Sequence, residues 1–87
     1  MTDARRIEAE ILALTASRGT EKSICPSEVA RTLEPEWRTL MGAIRNEAVR
    51  LARAGQIEIL RKGKPVPPDE VRGVIRLRAK MGTGTVL

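Results

Sequence analysis

The stretch PEWRTLMGAIRNEAVRLARAG, residues 35–55, decides the fold that this chain is expected to adopt. Its apolar residues follow one another at intervals of 3, 1, 3, 4 and 3 positions, a spacing that keeps them on one face of an α-helix. That face consists of Trp37, Leu40, Met41, Ile44, Ala48 and Leu51. The opposite face is formed by small residues and arginines. We therefore expect one long amphipathic helix that buries its first face and exposes its second.

Two further helices are expected before this one. Ile7, Ile11 and Leu14 recur at helical spacing and predict a first helix over about residues 4–18, with Thr2 or Asp3 as its cap. The segment Cys25-Pro26-Ser27-Glu28 is typical of a helix start, and Pro35 ends the short helix that follows it. The lone apolar Ile24 between these two helices predicts a strand of one or two residues.

After residue 55 the apolar pattern changes from helical spacing to alternation. Residues 56–61 place Ile57 and Ile59 on one face, and residues 73–78 place Ile75 and Leu77 on one face. These two segments are predicted to be the strands of one hairpin. The intervening KGKPVPPDEVR, residues 62–72, contains three prolines and therefore predicts a long loop rather than a central strand.

The order of these elements predicts a winged helix-turn-helix. This fold is mainly α with a small β-hairpin, built from three helices and a two- to three-stranded antiparallel wing. Residues 1–80 are expected to form a single domain, and the glycine-containing residues 81–87 a flexible tail. The predicted core consists of Ile7, Ile11, Leu14, Val29, Leu33, Trp37, Leu40, Met41, Ile44, Leu51, Ile57, Ile59, Ile75 and Leu77.

Composition argues against several classes of function. The 87 residues include no histidine and no tyrosine, so the usual general base and the commonest metal ligand are both missing. We therefore expect neither enzymatic activity nor a cofactor, a metal site or a small-molecule substrate. The single cysteine cannot form an intrachain disulfide, and no apolar run has the length of a signal peptide or a membrane span. A cytoplasmic protein is the expectation.

The distribution of charge favours a polyanionic partner. Residues 1–37 carry five basic and seven acidic side chains, whereas residues 38–87 carry eleven basic and only four acidic ones. Such asymmetry is typical of proteins that bind nucleic acid. Double-stranded DNA is the expected partner, with a role connected to transcription. RNA is a weaker prediction. Binding of single-stranded nucleic acid by base stacking is not expected, because the chain has only one aromatic residue.

The DNA hypothesis assigns contacts to the long helix and to the wing. Along the helix, Gly42 permits close approach to the major groove, while Thr39, Asn46 and Arg50 reach base edges and neighbouring arginines hold phosphates. In the wing, lysines and arginines contact the DNA backbone. The residues expected to contact DNA are Arg38, Thr39, Gly42, Arg45, Asn46, Arg50, Arg53, Arg61, Lys62, Lys64 and Arg76. The alternative function is a winged helix that docks onto another protein without binding DNA.

Several segments together resemble a known family. They are ILAL, ICPSEVAR, EWRTLMGAIRNEAVRLARAGQIEI, RKGKPV and RGVIRLR, which cover about residues 7–79. This combination resembles a short, uncharacterised bacterial family of unknown function with a winged-helix-like fold. The resemblance implies the fold but carries no activity, cofactor or catalytic residue. One departure is Val74, which stands where a proline is expected after Gly73.

Overall fold

Three helices and one antiparallel sheet make up residues 3–80, which are the residues that the computed structural model describes. The helices are α1 (Ala4–Arg18), α2 (Pro26–Leu33) and α3 (Met41–Arg53), and the strands are β1 (Ile57–Arg61), β2 (Lys64–Val66) and β3 (Arg76–Ala79). Short 3₁₀ turns occupy Trp37–Leu40 and Pro68–Glu70. The layout is mainly helical with a small wing, and it confirms the winged-helix prediction. The predicted tail, residues 81–87, lies outside the described residues.

The first two helices begin where the sequence predicts. The Asp3 carboxylate caps α1 by accepting a hydrogen bond of 3.0 Å from the backbone N–H of Arg6. The alternative cap, Thr2, lies outside the described residues. At the start of α2, the Glu28 carboxylate accepts a 3.0 Å hydrogen bond from the backbone N–H of Cys25. This bond satisfies a donor that the helix itself leaves unpaired.

The prediction of one continuous helix from residue 35 was wrong in its first turn. Glu34 is extended, and residues 37–40 form a 3₁₀ turn before α3 starts at Met41. The turn is closed by the Thr39 backbone N–H, which donates to the carbonyl oxygen of Glu36 at 3.3 Å. The Thr39 hydroxyl donates to the same oxygen at 2.9 Å. Because the Glu36 carbonyl accepts from the backbone N–H three residues later rather than four, the turn is tighter than an α-helix.

The sheet is more elaborate than the predicted hairpin. Its strand order is β2-β1-β3, so β1 lies in the centre and pairs antiparallel with both neighbours. The predicted loop over residues 62–72 therefore contains a strand, and β3 begins only at Arg76. β1 and β2 are joined by Lys62 and Gly63, whose φ angles of 54° and 82° suit a tight two-residue hairpin turn. Ile24 pairs with Leu77 of β3 and confirms the predicted short strand.

The core lies between the helices and one face of the sheet. Nine of the predicted core residues are buried, whereas Leu14, Leu33, Trp37, Leu40 and Met41 are only partly buried and pack against them. Ile24, Ala30, Ala48 and Leu60 are buried as well. Helix α3 contacts α1, α2 and β1, which makes it the central element of the domain. No helix among residues 3–80 is long and apolar enough to span a membrane.

Truncating the centre of α3 should destabilise the whole domain. Leu51 is fully buried, so Leu51→Ala should lower the free energy of unfolding by about 2–5 kcal/mol. Val74→Ala is the matched control, because Val74 is 85% exposed and its truncation should change stability by less than about 0.5 kcal/mol. Urea unfolding followed by circular dichroism measures both. Equal effects of the two substitutions would contradict the assigned core.

The cap of α2 should make stability depend on acidic pH. The Cys25 backbone N–H, together with Arg18 at 2.8 Å, lowers the pKa of Glu28 below its ordinary value of 4.5. As the pH falls, Glu28 becomes protonated at a higher pH in the unfolded chain than in the folded protein. The stabilisation by Glu28 is therefore complete above about pH 4.5 and is lost as the pH falls through the lower pKa of the folded state.

Glu28→Gln should therefore flatten the decline of the unfolding free energy between about pH 5 and about pH 3. Glu21→Gln removes an exposed carboxylate outside the cap and serves as the control. Urea unfolding at a series of pH values gives the comparison. A wild-type slope in Glu28→Gln would show that the cap carboxylate does not contribute.

Candidate nucleic-acid interface

The first half of α3 exposes a surface of short side chains. Gly42, Ala43 and Asn46 are exposed, and a side chain added at Gly42 would meet no atom within 4 Å. Within the described residues the Asn46 amide has no hydrogen-bond partner, so its donors and acceptor are available to a ligand. A surface whose centre lacks long side chains allows a partner to approach the helix backbone closely. The predicted approach at Gly42 is therefore sterically feasible.

The arginines in the second half of α3 are already bound to acids. Arg50 Nε donates to a Glu47 carboxylate oxygen at 2.7 Å, and Arg50 also forms an ion pair of 3.1 Å with Glu8 of α1. The hydrogen bond with Glu47 raises the pKa of Arg50 above its usual value. Arg53 forms an ion pair of 2.6 Å with Asp69. The second half of the predicted arginine face is thus largely neutralised within the protein.

Arg45 instead joins α3 to the wing. One of its terminal nitrogens donates to the carbonyl oxygen of Gly73 at 2.9 Å. Gly73 has a φ of 72°, which a residue with a side chain rarely adopts, and lies in the segment that leads into β3. Because the partner is a carbonyl rather than a carboxylate, the positive charge of Arg45 is not cancelled.

A groove of about 420 Å³ lies between the β1–β2 turn and the segment that Arg45 holds. It is lined by Leu60, Arg61, Lys62, Gly63, Gly73, Val74 and Arg76. Arg76 is fixed there because its Nε donates to the Ser23 hydroxyl at 2.6 Å and a second nitrogen donates to the Ser23 carbonyl at 2.9 Å. Arg61 and Lys62 are exposed, as is Lys64 beyond the turn.

The structure therefore brings some of the predicted residues together and separates others. Through Gly73, Arg45 is linked to the groove that contains Arg61, Lys62 and Arg76. Arg38 and Thr39 lie in the 3₁₀ turn directly before α3, where both are exposed. Arg50 and Arg53, in contrast, are held by acids on α1, on α3 itself and in the 68–70 turn. We use the term basic surface for the long polar side chains of the predicted set that have no acidic partner within residues 3–80, whether or not they line the groove: Arg38, Arg45, Asn46, Arg61, Lys62, Lys64 and Arg76.

The acids that neutralise the second half of α3 were missed by the sequence analysis. The pair Glu47 and Arg50 has a sequence signal, since residues three apart lie on neighbouring positions of a helix. Glu8 and Asp69 have none, because their approach to α3 depends on how α1 and the wing pack. Among residues 3–80 no cluster of three histidine, cysteine, aspartate or glutamate side chains is arranged to hold a metal ion.

The sequence of the chain matches a protein family over residues 4–80, and the chain therefore belongs to that family, DUF3253, described as a protein of unknown function. This match confirms the expected membership of an uncharacterised family. A comparison with curated proteins gives no match.

Arg45 should control the mobility of the segment next to α3. Arg45→Ala removes the hydrogen bond to the Gly73 carbonyl, so the backbone order parameters of Gly73 and Val74 should fall from rigid values near 0.85 towards about 0.6. NMR relaxation of the backbone amides measures this change. Arg53→Ala, which breaks a surface ion pair, is the control and should leave both amides unaffected. Unchanged order parameters in Arg45→Ala would show that the segment is held by other contacts.

Proposed function

We propose that this member of the DUF3253 family is a module that binds double-stranded DNA. The observation that carries the proposal is the sorting of charges around α3. Arg18, Arg50, Arg53 and Arg78 form ion pairs, whereas no cation of the basic surface is seen in an ion pair within residues 3–80. Among the cations of α3, the turn before it and the wing, those without an acidic partner in the described part of the chain therefore lie before and in the first half of α3 and around the β1–β2 turn.

This arrangement suits a helix that enters the major groove by its N-terminal half. In helix-turn-helix proteins the residues near the start of the recognition helix contact base edges. Here Gly42 and Ala43 leave room for the groove floor, and the unpaired amide of Asn46 matches the donor and acceptor of an adenine edge. Thr39 donates its hydroxyl proton to Glu36, which leaves its oxygen as an acceptor.

The cations of the basic surface are suited to contacts with phosphates. Arg38 and Arg45 flank the first turn of α3, while Arg61, Lys62 and Lys64 extend from the wing turn. Phosphate contacts of this kind fix the position of a protein on the duplex without reading its sequence. They supply most of the electrostatic binding free energy.

The proposal changes the roles of two predicted residues. Arg50 was expected to read a base, but a guanine contact would require it to exchange its bonds with Glu47 and Glu8. Arg53 would likewise have to leave Asp69. We therefore assign base contacts to Asn46 and treat Arg50 and Arg53 as minor contributors. A transcription-related role in the bacterial cytoplasm is part of the same proposal.

Docking onto an acidic protein is the competing function. The observation that favours it is Val74, an apolar side chain that is 85% exposed and lies in the groove beside Arg61 and Lys62. An exposed apolar residue in a groove that is also lined by cations suits a peptide that carries both apolar and acidic side chains. A competition experiment that compares the affinity of the protein for a DNA duplex with its affinity for an acidic protein fragment distinguishes the two functions.

The DNA proposal predicts distinct effects for the helix and the wing. Lys62→Ala with Lys64→Ala should reduce the slope of log affinity against log salt by about two units, because each lost phosphate contact contributes about 0.9. Asn46→Ala should leave that slope unchanged and weaken preference for adenine at one position of the site by about 1–3 kcal/mol. Fluorescence anisotropy with a labelled duplex at several salt concentrations measures both effects.

Arg6→Ala with Lys22→Ala is the matched control, since it removes two exposed cations outside the basic surface. This control should keep the wild-type slope. Absence of binding to any duplex at low salt would refute the proposed function. Identical slope changes in the wing variant and in the control would show that only net charge matters.

A further inference from the structure

Trp37, the only aromatic residue of the chain, is partnered by two arginines. The guanidinium carbon of Arg31 lies 4.7 Å from the centroid of the Trp37 ring, and that of Arg38 lies 4.5 Å from it. Both distances are within the range of a cation–π interaction. The indole is partly buried against the core, whereas both arginines are exposed. We call these three residues the guanidinium–indole cluster.

The chemistry of the cluster differs from that of the ion pairs elsewhere on the surface. A carboxylate cancels the charge of an arginine and occupies its N–H donors, as Asp69 does with Arg53. An aromatic ring does neither, because it contacts the face of the guanidinium and leaves the donors at its edge available. The cluster therefore holds two full positive charges in place while leaving their hydrogen-bonding capacity unused.

The cluster is also organised before any ligand arrives. The indole is fixed by its packing against the core, and each guanidinium that rests on it has lost part of its rotational freedom. A ligand then loses less conformational entropy on binding than it would with freely moving side chains. Fixed, planar guanidinium groups are well suited to bidentate binding of phosphate oxygens.

The position of the cluster relates it to the proposed DNA interface. Arg31 lies in α2, and Arg38 lies in the 3₁₀ turn that leads into α3, four residues before Gly42. In helix-turn-helix proteins the helix that precedes the recognition helix crosses the DNA backbone. A phosphate at the cluster would thus lie beside the helix that enters the groove, and it would be reached from a different element than the wing.

We propose that the guanidinium–indole cluster is a phosphate-binding site that binds the DNA backbone beside α3. The ligand is a phosphodiester of duplex DNA, and the inference rests on the proposed function. It adds Arg31 and Trp37, which the sequence analysis did not assign to the interface, and it gives Arg38 a defined structural partner. The two arginines bind the phosphate, and Trp37 positions them.

The test compares the wild-type protein with Arg31→Gln, Arg38→Gln in one chain. Binding of a labelled duplex is measured over a series of salt concentrations, and the slope of log affinity against log salt should fall by about two units in the variant. Arg6→Gln with Lys22→Gln removes the same charge elsewhere and should keep the wild-type slope. Circular dichroism melting of each protein establishes that all are folded.

Two further measurements examine the stacking itself. The fluorescence emission of Trp37, the only aromatic residue, should change when unlabelled duplex is added to the wild-type protein and should not change with the double Gln variant.

Arg31→Lys with Arg38→Lys keeps both charges but loses the planar guanidinium groups. This variant should keep a salt slope near that of the wild type while binding the duplex about tenfold more weakly, since two bidentate contacts are lost.

The outcomes separate this inference from the proposed function. Wild-type protein that binds no duplex at low salt would overturn both. Wild-type protein that binds, with an unchanged slope in the Gln variant and no change in Trp37 emission, would overturn the cluster alone. Poly-glutamate that binds as tightly as the duplex and depends equally on Arg31 and Arg38 would overturn the assignment of phosphate as the ligand.

Discussion

The burial of one face of α3 determines the position of almost every other group in this protein. Ile44, Ala48 and Leu51 are fully excluded from solvent by α1, α2 and β1. Because these three residues lie on one face, the rotation of the helix about its axis is fixed and the opposite face is turned to solvent. The acids that reach the helix from α1 and from the wing do so only because this packing places them there.

This constraint divides the surface of α3 into two electrostatic regions. In the second half, Glu8 and Asp69 approach from neighbouring elements and combine with Glu47 to compensate Arg50 and Arg53. In the first half the arginines have no carboxylate partner among the described residues, since Arg45 donates to a carbonyl oxygen and Arg38 lies over an indole ring. The positive charge is thus compensated on the arginines of the second half and remains uncompensated on Arg45 and on Arg38 before the helix.

Much of the fold was predictable because it depends on periodic patterns and on helix-start signals. The starts of α1 and α2 follow from Asp3 and from the capping residues around Pro26, and the alternation in residues 57–61 gives the central strand. The 3₁₀ turn at residues 37–40 was not predicted, because the apolar spacing there fits either type of helix. Strand β2 lies in the segment predicted to be a loop, because the three prolines of residues 62–72 argue only against a central strand and Pro65 is tolerated at the edge of the sheet. The candidate site was predicted in its residue types but not in its ion pairs, since these depend on tertiary contacts between residues far apart in the chain.

The edges of the sheet have a consequence for self-association. On one side the outermost strand is β2, only three residues long, which carries an exposed Lys64 and a Pro65 that has no backbone N–H to donate. On the other side the sheet is extended only by the single pairing of Ile24 with Leu77. Short edges that contain lysine and proline are poor templates for the addition of a further strand. A continuous sheet between two copies of this protein is therefore disfavoured.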